Sequence, residues 1–175
     1  PVTVGHFFPS CFEGKRLAGS KSSTLLALRA VIQDLERLYG QRPLDSVGHG
    51  DAEAYVADMR GRGLKPATIH KRVQRARQIF RDATERGLLA RNPFEHLRVR
   101  GGNPAERRAY VPVPDVLRVI DCCPNVWWRL LVALARFGGL RVPSEAFCLR
   151  WSNVDWERNR LVIPSPKTEG QGKPY

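Results

Sequence analysis

Two charged residues stand out for their surroundings in the stretch ARFGGLRVPSEAFCLRW, which runs from Ala135 to Trp151. Arg141 and Glu145 lie between two apolar segments, shortly after the pair Gly138-Gly139. An arginine binds two phosphate oxygens at once through its planar guanidinium, and it does not lose its charge. The plainer interpretation is a helix-terminal ion pair at spacing i, i+4, worth only about 0.3–0.5 kcal/mol. The choice between them depends on what the rest of the chain binds.

The chain carries a large excess of basic residues. Lys and Arg number 29 and Asp and Glu number 17 among 175 residues, which gives a formal net charge of +12. Between Arg60 and Arg100 twelve basic residues face three acidic ones, a local balance of +9. Such an excess favours a polyanion as partner, either nucleic acid or an anionic membrane surface. A basic surface that contacts only solvent is the alternative.

Several classes of protein do not fit the composition. No apolar run approaches 18 residues, so no membrane span is expected, and the first residues lack the pattern of a secretory signal. The cysteines form no C-x-x-C pair, which favours reduced thiols in a cytoplasmic protein and disfavours a zinc site. No metal site is expected. The four cysteines are Cys11, Cys122, Cys123 and Cys148.

The first hundred residues contain patterns typical of amphipathic helices. The first helix is predicted to end at Gly40 and to be capped by a residue of its opening Ser-Ser-Thr triplet, Ser22, Ser23 or Thr24. Its apolar positions recur at spacings of three and four: Leu28, Val31, Ile32, Leu35 and Leu38. A second, shorter helix is predicted with Asp51 as its cap and an end at Gly61 or Gly63.

The third predicted helix runs from Pro66 to Arg86, a length of about 30 Å at the standard rise per residue. Lys71, Arg75 and Gln78 share one side, which makes that side the best candidate to lie along DNA. The opposite stripe, predicted to face the core, consists of Ile69, Val73, Ala76, Phe80 and Ala83.

The remainder of the chain divides at a basic segment rich in glycine and proline. Asn92-Pro93 predicts a turn into one more short helix, and the segment that follows, to about residue 110, is typical of an interdomain linker. After it, PDVLRVIDCC, NVWWRLLVALARFGG and the short EAFCLRW are predicted to be helices. A strand–turn–strand follows, with Asn159 in the turn and residues 161–163 in a strand. The four tryptophans, Trp127, Trp128, Trp151 and Trp156, are expected in the core, with DNA contact as the alternative.

Three stretches of the chain resemble the tyrosine recombinase, or phage integrase, family. GGLRVPSEAFCLRWSNVDWERNRLVIPSPKTEG is similar to the family's Gly-Leu-Arg, Ser-Glu, Leu-Arg-Trp and strand-Lys-Thr sequence. LKPATIHKRVQRARQIFRDATERGLLARNPFEHL resembles the last helices of its core-binding domain, and SKSSTLLALRAVIQDLERLYG resembles the first helix more weakly. The resemblance implies a mainly α fold. A helical SAM-like core-binding domain over 1–100 would be followed by the truncated start of a mixed α/β catalytic domain with a β-hairpin, over 111–175.

The resemblance also implies a chemistry. Members of the family break DNA through a tyrosine that becomes joined to the 3′ phosphate, and they reseal it without a cofactor or metal. Arg141 would be the first arginine of the cradle that stabilises the phosphoryl transition state. Lys167 would be the general acid that protonates the leaving 5′ oxygen, and Glu145 the carboxylate that braces the arginine. The candidate DNA contacts are Lys21, Lys65, Thr68, His70, Lys71, Arg72 and Arg75.

Two departures from the family pattern qualify these roles. The acidic residue usually follows the arginine by three places, whereas Glu145 follows Arg141 by four, which a wide turn or bulge with Pro143 could absorb. Past Lys167 there is no His-x-x-Arg, and Tyr175 does not match the nucleophilic tyrosine. The chain is therefore expected to be a DNA-binding fragment of a strand-exchange enzyme, itself unable to cut DNA.

Double-stranded DNA is thus the expected partner. The parent recombinase would act as a tetramer on two duplexes, whereas the fragment alone would be a monomer. Two alternatives remain open: a non-catalytic DNA-binding regulator that keeps the recombinase fold, and, more weakly, an RNA-binding helical protein. The second lacks an exposed-aromatic motif of the kind that binds single-stranded RNA.

Overall fold

The computed structural model describes residues 2–102 and 109–163, which fall into two compact units, 1–105 and 106–175. The first unit contains four α-helices and a short 3₁₀ turn at Leu44–Ser46. The helices are α1 (Val4–Leu17), α2 (Ser22–Tyr39), α3 (His49–Gly61) and α4 (Pro66–Glu85). Helix α1 packs against α2 and α4, and α4 also contacts α2 and α3, so α4 is the element that the other three share.

Helix α4 agrees with its sequence prediction. It begins at Pro66, whose missing N–H and fixed φ suit the first helical turn, and it ends one residue before the predicted Arg86. All five predicted core positions of its apolar stripe are buried, together with Ile79. The side chains of Lys71 and Gln78 are exposed, while Arg75 is half-buried. The two faces are therefore divided as the spacing predicts.

The caps of α2 and α3 differ from the predictions. The residue before α2 is Lys21, in extended conformation, and its carbonyl accepts the Thr24 N–H at 2.9 Å. The predicted serine and threonine caps therefore lie inside the first turn. Helix α3 begins two residues before Asp51, which sits at the third helical position and accepts the Gly48 N–H at 2.8 Å. Its carboxylate still satisfies a backbone donor at the helix start, but from inside the helix.

Helix α1 was not predicted from the sequence. Val4, Phe7, Phe8 and Cys11 are buried on one face of it, at the spacing of a helix. Pro9 lies inside the helix on the exposed side, where its missing N–H disturbs no core contact. The N-terminal residues therefore contribute to the core.

Aromatic rings form the centre of that core. Phe80 of α4 lies edge-on to Phe8 of α1, with ring centroids 6.1 Å apart, and 5.1 Å from Phe94. Tyr55 of α3 meets Phe94 edge-on at 6.0 Å. Such aromatic pairs add about 0.5–1.5 kcal/mol each beyond the area they bury. They join α1, α3 and α4 to the segment that follows α4.

The segment after α4 forms a turn at Asn92-Pro93, so the prediction of a short helix there is wrong. The Asn92 side chain accepts the Phe94 N–H at 3.0 Å and donates to the Arg77 carbonyl at 2.9 Å. A side chain that bonds the backbone two residues on offers an alternative to the helix, and here it is the one adopted.

The second unit contains two helices and a small hairpin in its described part. These are α5 (Val113–Asp121), α6 (Val126–Arg136), β1 (Val154–Asp155) and β2 (Arg160–Leu161). The strands are antiparallel, with Val154 opposite Leu161. Asn159 lies in the connecting turn at φ 51°, as predicted, but β2 covers only part of the predicted strand.

The prediction of a short helix in EAFCLRW is also wrong. Two 3₁₀ turns take its place, Ala146–Cys148 and Trp151–Asn153, separated by extended backbone at Leu149 and Arg150. The Asn153 side chain accepts the Arg150 N–H at 2.9 Å, so the second turn has its own cap. This local bond starts a new turn and interrupts the helix.

The tryptophans are exposed, by 54 to 79% of their surface, so the prediction that they lie in the core is wrong. Among the described residues of the second unit, only Val116, Leu140 and Glu145 are buried. Helix α6 packs against α5 and the turn at Ala146–Cys148, and so thin a layer cannot enclose indole rings. In the described ranges, no helix has the length and apolar character needed to cross a membrane.

Candidate nucleic-acid interface

Two lysines stand at helix starts in the first unit. Lys21 precedes α2 and Lys65 precedes α4, both in extended conformation and both exposed. The carbonyl of Lys65 accepts the Thr68 N–H at 2.8 Å, so Thr68 lies in the first turn of α4 with its side chain exposed. Helix N-termini present backbone N–H groups and a partial positive charge, which favours phosphate there.

The predicted contacts Lys71 and Arg75 continue along α4 from that start. Lys71 is exposed, and one guanidinium N–H of Arg75 points back to the Lys71 carbonyl at 3.4 Å. These residues form a cationic stripe on the side of α4 that faces away from the core. The stripe fits a row of phosphates better than a single compact ligand.

Two other predicted contacts have partners within the protein. His70 Nδ1 lies 2.7 Å from the Val99 carbonyl, and because a carbonyl only accepts, Nδ1 carries the proton. Arg72 donates to the buried carboxylate of Asp34, with its own side chain 22% exposed. Both residues therefore hold the first unit together, whatever they bind outside it.

Asp34 is the centre of a charge network that sequence analysis missed. It lies on the buried face of α2, accepts from Arg72 and Arg62, the latter at 2.7 Å, and lies 3.5 Å from the Tyr55 hydroxyl. Burial, and secondarily the Asp34 charge, raise the pKa of Tyr55 well above its usual range. Asp34 thus ties α2 to Arg72 of α4 and to Arg62 at the end of α3.

Asp58 extends the network at the surface. It accepts from Arg37 at 2.6 Å and from Arg62 at 3.1 Å, and these hydrogen bonds hold its pKa below the usual range against the effect of burial. The sequence signal for the network was a lone acid at position 34 within an apolar stripe. The sequence pattern did not indicate which basic residues would form ion pairs with Asp34.

Arg77 has a structural role as well. Its Nε donates to the Phe94 carbonyl at 2.9 Å and an Nη to the Leu97 carbonyl at 2.8 Å. Two carbonyls that the turn leaves without a helical partner are satisfied in this way. The number of basic residues in α4 is therefore larger than the number of basic side chains that can contact a ligand.

In the second unit, the glycine pair explains how Arg141 is placed. Gly138 ends α6 where an added Cβ would lie 2.8 Å from both the Leu134 carbonyl oxygen and a methyl of Leu140. Gly139 has φ +66°, the left-handed conformation that favours glycine. The Leu140 N–H then bonds the Leu134 carbonyl at 3.2 Å, and Leu140 is buried. Arg141 follows a residue that is fixed by packing.

Glu145 contacts Arg141 through both carboxylate oxygens. One oxygen accepts the Arg141 backbone N–H at 2.8 Å and the other accepts Nη1 at 2.5 Å. The Glu145 side chain is 8% exposed, and that of Arg141 is 48% exposed. A buried carboxylate thus orients an arginine whose side chain is about half exposed, which differs from the surface ion pair considered as the plainer interpretation.

The extra residue between them is taken up by a turn over residues 142–145. The Glu145 N–H bonds the Arg141 carbonyl at 2.8 Å, and the Val142–Pro143 peptide bond is cis. The wider spacing therefore does not prevent contact between the two residues. Lys167, the predicted general acid, lies outside the described residues.

Within residues 2–102 and 109–163, no group of three or more His, Cys, Asp or Glu side chains is arranged to hold a metal ion. The residues brought together here are cationic and hydrogen-bonding groups. Groups of these types are able to bind and orient phosphate.

No family model matches the chain. Among curated proteins, it is similar to a tyrosine recombinase XerC of Roseiflexus castenholzii, with 28% identity over 158 residues. The match covers 84% of this chain and 50% of that protein. The chain thus spans about half the length of the curated relative it matches.

Solved structures show the same fold. A lambda integrase tetramer bound to a Holliday junction has a TM-score of 0.80 at 21% identity, covering 96% of this chain and 49% of that one. A Tn1549 transposon integrase in complex with circular intermediate DNA has a TM-score of 0.72 at 22% identity, covering 94% and 54%. The resemblance to the tyrosine recombinase/integrase family, and the mainly α fold it implied, are confirmed by these matches.

Proposed function

We propose that this chain is the DNA-gripping part of a site-specific tyrosine recombinase. The observation that carries the proposal is the pair Arg141–Glu145, in which a buried carboxylate orients an exposed guanidinium at the end of a glycine-terminated helix. A surface ion pair forms without a buried carboxylate and without a buried neighbour such as Leu140. An arginine that binds one phosphate in a single orientation requires both, because the carboxylate and the packed neighbour fix the direction of its side chain.

The first unit supports the same function by charge. Lys65, Lys71 and Arg75 line the outer side of α4, and Lys21 stands at the start of α2. The integrases that share this fold were solved on DNA. We therefore propose double-stranded DNA as the partner, contacted mainly at its phosphates.

In a form of the protein that cuts DNA, Arg141 would stabilise the charge that develops on the phosphoryl group, and Lys167 would protonate the leaving 5′ oxygen. Removal of one such preorganised donor lowers a rate by about 10²–10³-fold. Arg141→Ala should cause a loss of that order, and Glu145→Gln a smaller one, because Glu145 acts through the arginine. Unchanged strand cleavage in Arg141→Ala would favour the DNA-binding regulator. The tetrameric assembly seen for lambda integrase is proposed for the whole recombinase.

A competition experiment tests the nucleic-acid partner directly. Labelled duplex DNA bound to the chain is displaced at fixed salt by unlabelled duplex DNA or by RNA duplex of the same length. Lys71→Gln should weaken binding of the labelled DNA, whereas Arg118→Gln, an exposed change on α5, serves as the matched control. Displacement by RNA at a concentration as low as that of DNA would instead support the RNA-binding alternative.

A further inference from the structure

A small cavity opens between α1, α2 and α4, with a volume of about 50 Å³. Its floor is formed by the buried residues Cys11, Leu28 and Ile79. Its rim carries four polar side chains, one or two from each helix, namely Lys15, Thr24, Arg75 and Gln78. The cavity, here called the three-helix notch, has room for a few atoms but not for a base or a sugar.

Every rim side chain can donate a hydrogen bond. Lys15 and Arg75 are donors only and carry positive charge, while Thr24 and Gln78 offer a hydroxyl and an amide. No carboxylate lines the notch. A small, negatively charged group with several acceptor oxygens is the ligand that this set of donors fits.

The floor adds no negative charge. Burial, with a smaller effect of the nearby Asp82, raises the pKa of Cys11 to about 11, so its thiol is neutral at physiological pH. Asp82 itself forms an ion pair with Arg86, whose nitrogen lies 2.8 Å from the carboxylate. An anion in the notch would therefore meet two cations on the rim, while the nearest carboxylate, that of Asp82, is paired with Arg86.

The notch also continues the cationic stripe of α4. Lys71, Arg75 and Gln78 follow one another at spacings of four and three along that helix, so they share one side. Thr24 lies in the first turn of α2, three residues after Lys21. A phosphate backbone that lies along Lys71 and Lys21 would thus pass the opening of the notch.

We propose that the three-helix notch binds one phosphate of the DNA backbone, with Lys15, Thr24 and Gln78 as contacts additional to Arg75. The proposal rests on the proposed function and deepens it. A row of surface lysines alone lets the protein slide along DNA, whereas a notch that encloses one phosphate fixes the register of the first unit on the duplex. Helix α1 then takes part in binding through Lys15.

The first test measures how the affinity for duplex DNA depends on salt. Each phosphate contact made by a cation contributes about 0.9 to the slope of log K against log salt. Lys15→Gln should lower the slope by about that amount, and Arg118→Gln, an exposed change on α5, should leave it almost unchanged. A slope for Lys15→Gln equal to that of the wild type would contradict the proposal that the notch binds a phosphate.

Neutral variants separate a bound phosphate from a general effect of charge. Gln78→Leu and Thr24→Val remove one donor each without a change in charge. Each should weaken binding by roughly ten- to hundredfold at constant salt slope, the range of a hydrogen bond to a charged group. Unchanged affinity in both variants, with native circular dichroism, would also overturn the notch.

Amide chemical shifts distinguish the source of the phosphate. Titration with a short duplex should shift the amides at positions 24 and 78, while inorganic phosphate at the same concentration should shift them weakly. Strong shifts with inorganic phosphate and none with the duplex would assign the notch to a free anion and reject the proposal. If wild-type chain shows no salt-dependent duplex binding, the proposed function fails with it. If wild type binds and the notch variants bind equally well, only the notch fails.

Discussion

Asp34→Asn tests the charge network at the junction of α2, α3 and α4. The substitution keeps the shape of the side chain but removes the charge that Arg72 and Arg62 share. The Asp34 side chain is 10% exposed, and those of Arg72 and Arg62 are 22% and 38% exposed. The bond to Arg72 is therefore protected from water, whereas that to Arg62 is partly screened.

The magnitude follows from that difference. A protected hydrogen bond to a charged group contributes about 1.5–3 kcal/mol. The more exposed pair with Arg62 adds up to about 1 kcal/mol, the range of surface ion pairs. A total near 3 kcal/mol corresponds to a fall in Tm of roughly 12–24 °C for a domain of this size. Asp45→Asn, at an exposed carboxylate, is the matched control and should lie within about 0.5 kcal/mol of wild type.

Helical circular dichroism follows this unfolding well, because the four longer helices all lie in the first unit. All four tryptophans lie within 106–175, so their fluorescence reports the second unit separately. A Tm of Asp34→Asn within about 3 °C of wild type in the dichroism signal would refute the role given to Asp34.

Three further predictions concern single sites. Gly138→Ala should destabilise the second unit by about 1–3 kcal/mol, the cost of overpacking, because its Cβ would lie 2.8 Å from two atoms; an unchanged tryptophan-fluorescence Tm would contradict this. Burial raises the pKa of Cys11 to about 11, so Cys11 should react with a disulfide reagent at pH 8 far more slowly than the exposed Cys148. Equal reaction rates of the two thiols, measured by mass spectrometry, would refute the burial of Cys11. The pKa of Asp51 is lowered, first by its hydrogen bond to Arg42, so its stabilising effect is present above the unfolded pKa of about 3.9 and is lost as pH falls through the lower folded pKa. Asp51→Asn should then lose less stability on acidification than wild type, and parallel Tm–pH curves would contradict that sign.

The helices of the first unit could be predicted where a strong period coincides with clear ends. Pro66 and the stripe through Phe80 were sufficient for α4. Helix α1 has an equally good period at Val4, Phe7, Phe8 and Cys11, but no helix was predicted there, and Pro9 lies inside it. A proline inside a helix costs about 3 kcal/mol whichever side it lies on. Burial of the apolar face can offset that cost, but it depends on tertiary contacts that the sequence alone does not show.

The candidate site was predictable in part for the same reason. The Gly-Gly pair and the charges at 141 and 145 are local features, and the structure brings those two charges together. The partners of Arg72 and His70 are distant in sequence, at positions 34 and 99, so no local pattern could reveal them. The exposure of the tryptophans likewise depends on what packs above α6, which is a property of tertiary structure.

The central claim is that this chain binds duplex DNA through its phosphates. Fluorescence anisotropy of a labelled duplex, titrated with the 175-residue chain between about 50 and 200 mM salt, tests it most directly. With Lys21, Lys65, Lys71 and Arg75 all on phosphates, the affinity should fall by about 10²-fold over that range. Affinity that is independent of salt, or no binding at the lowest salt, would contradict the claim.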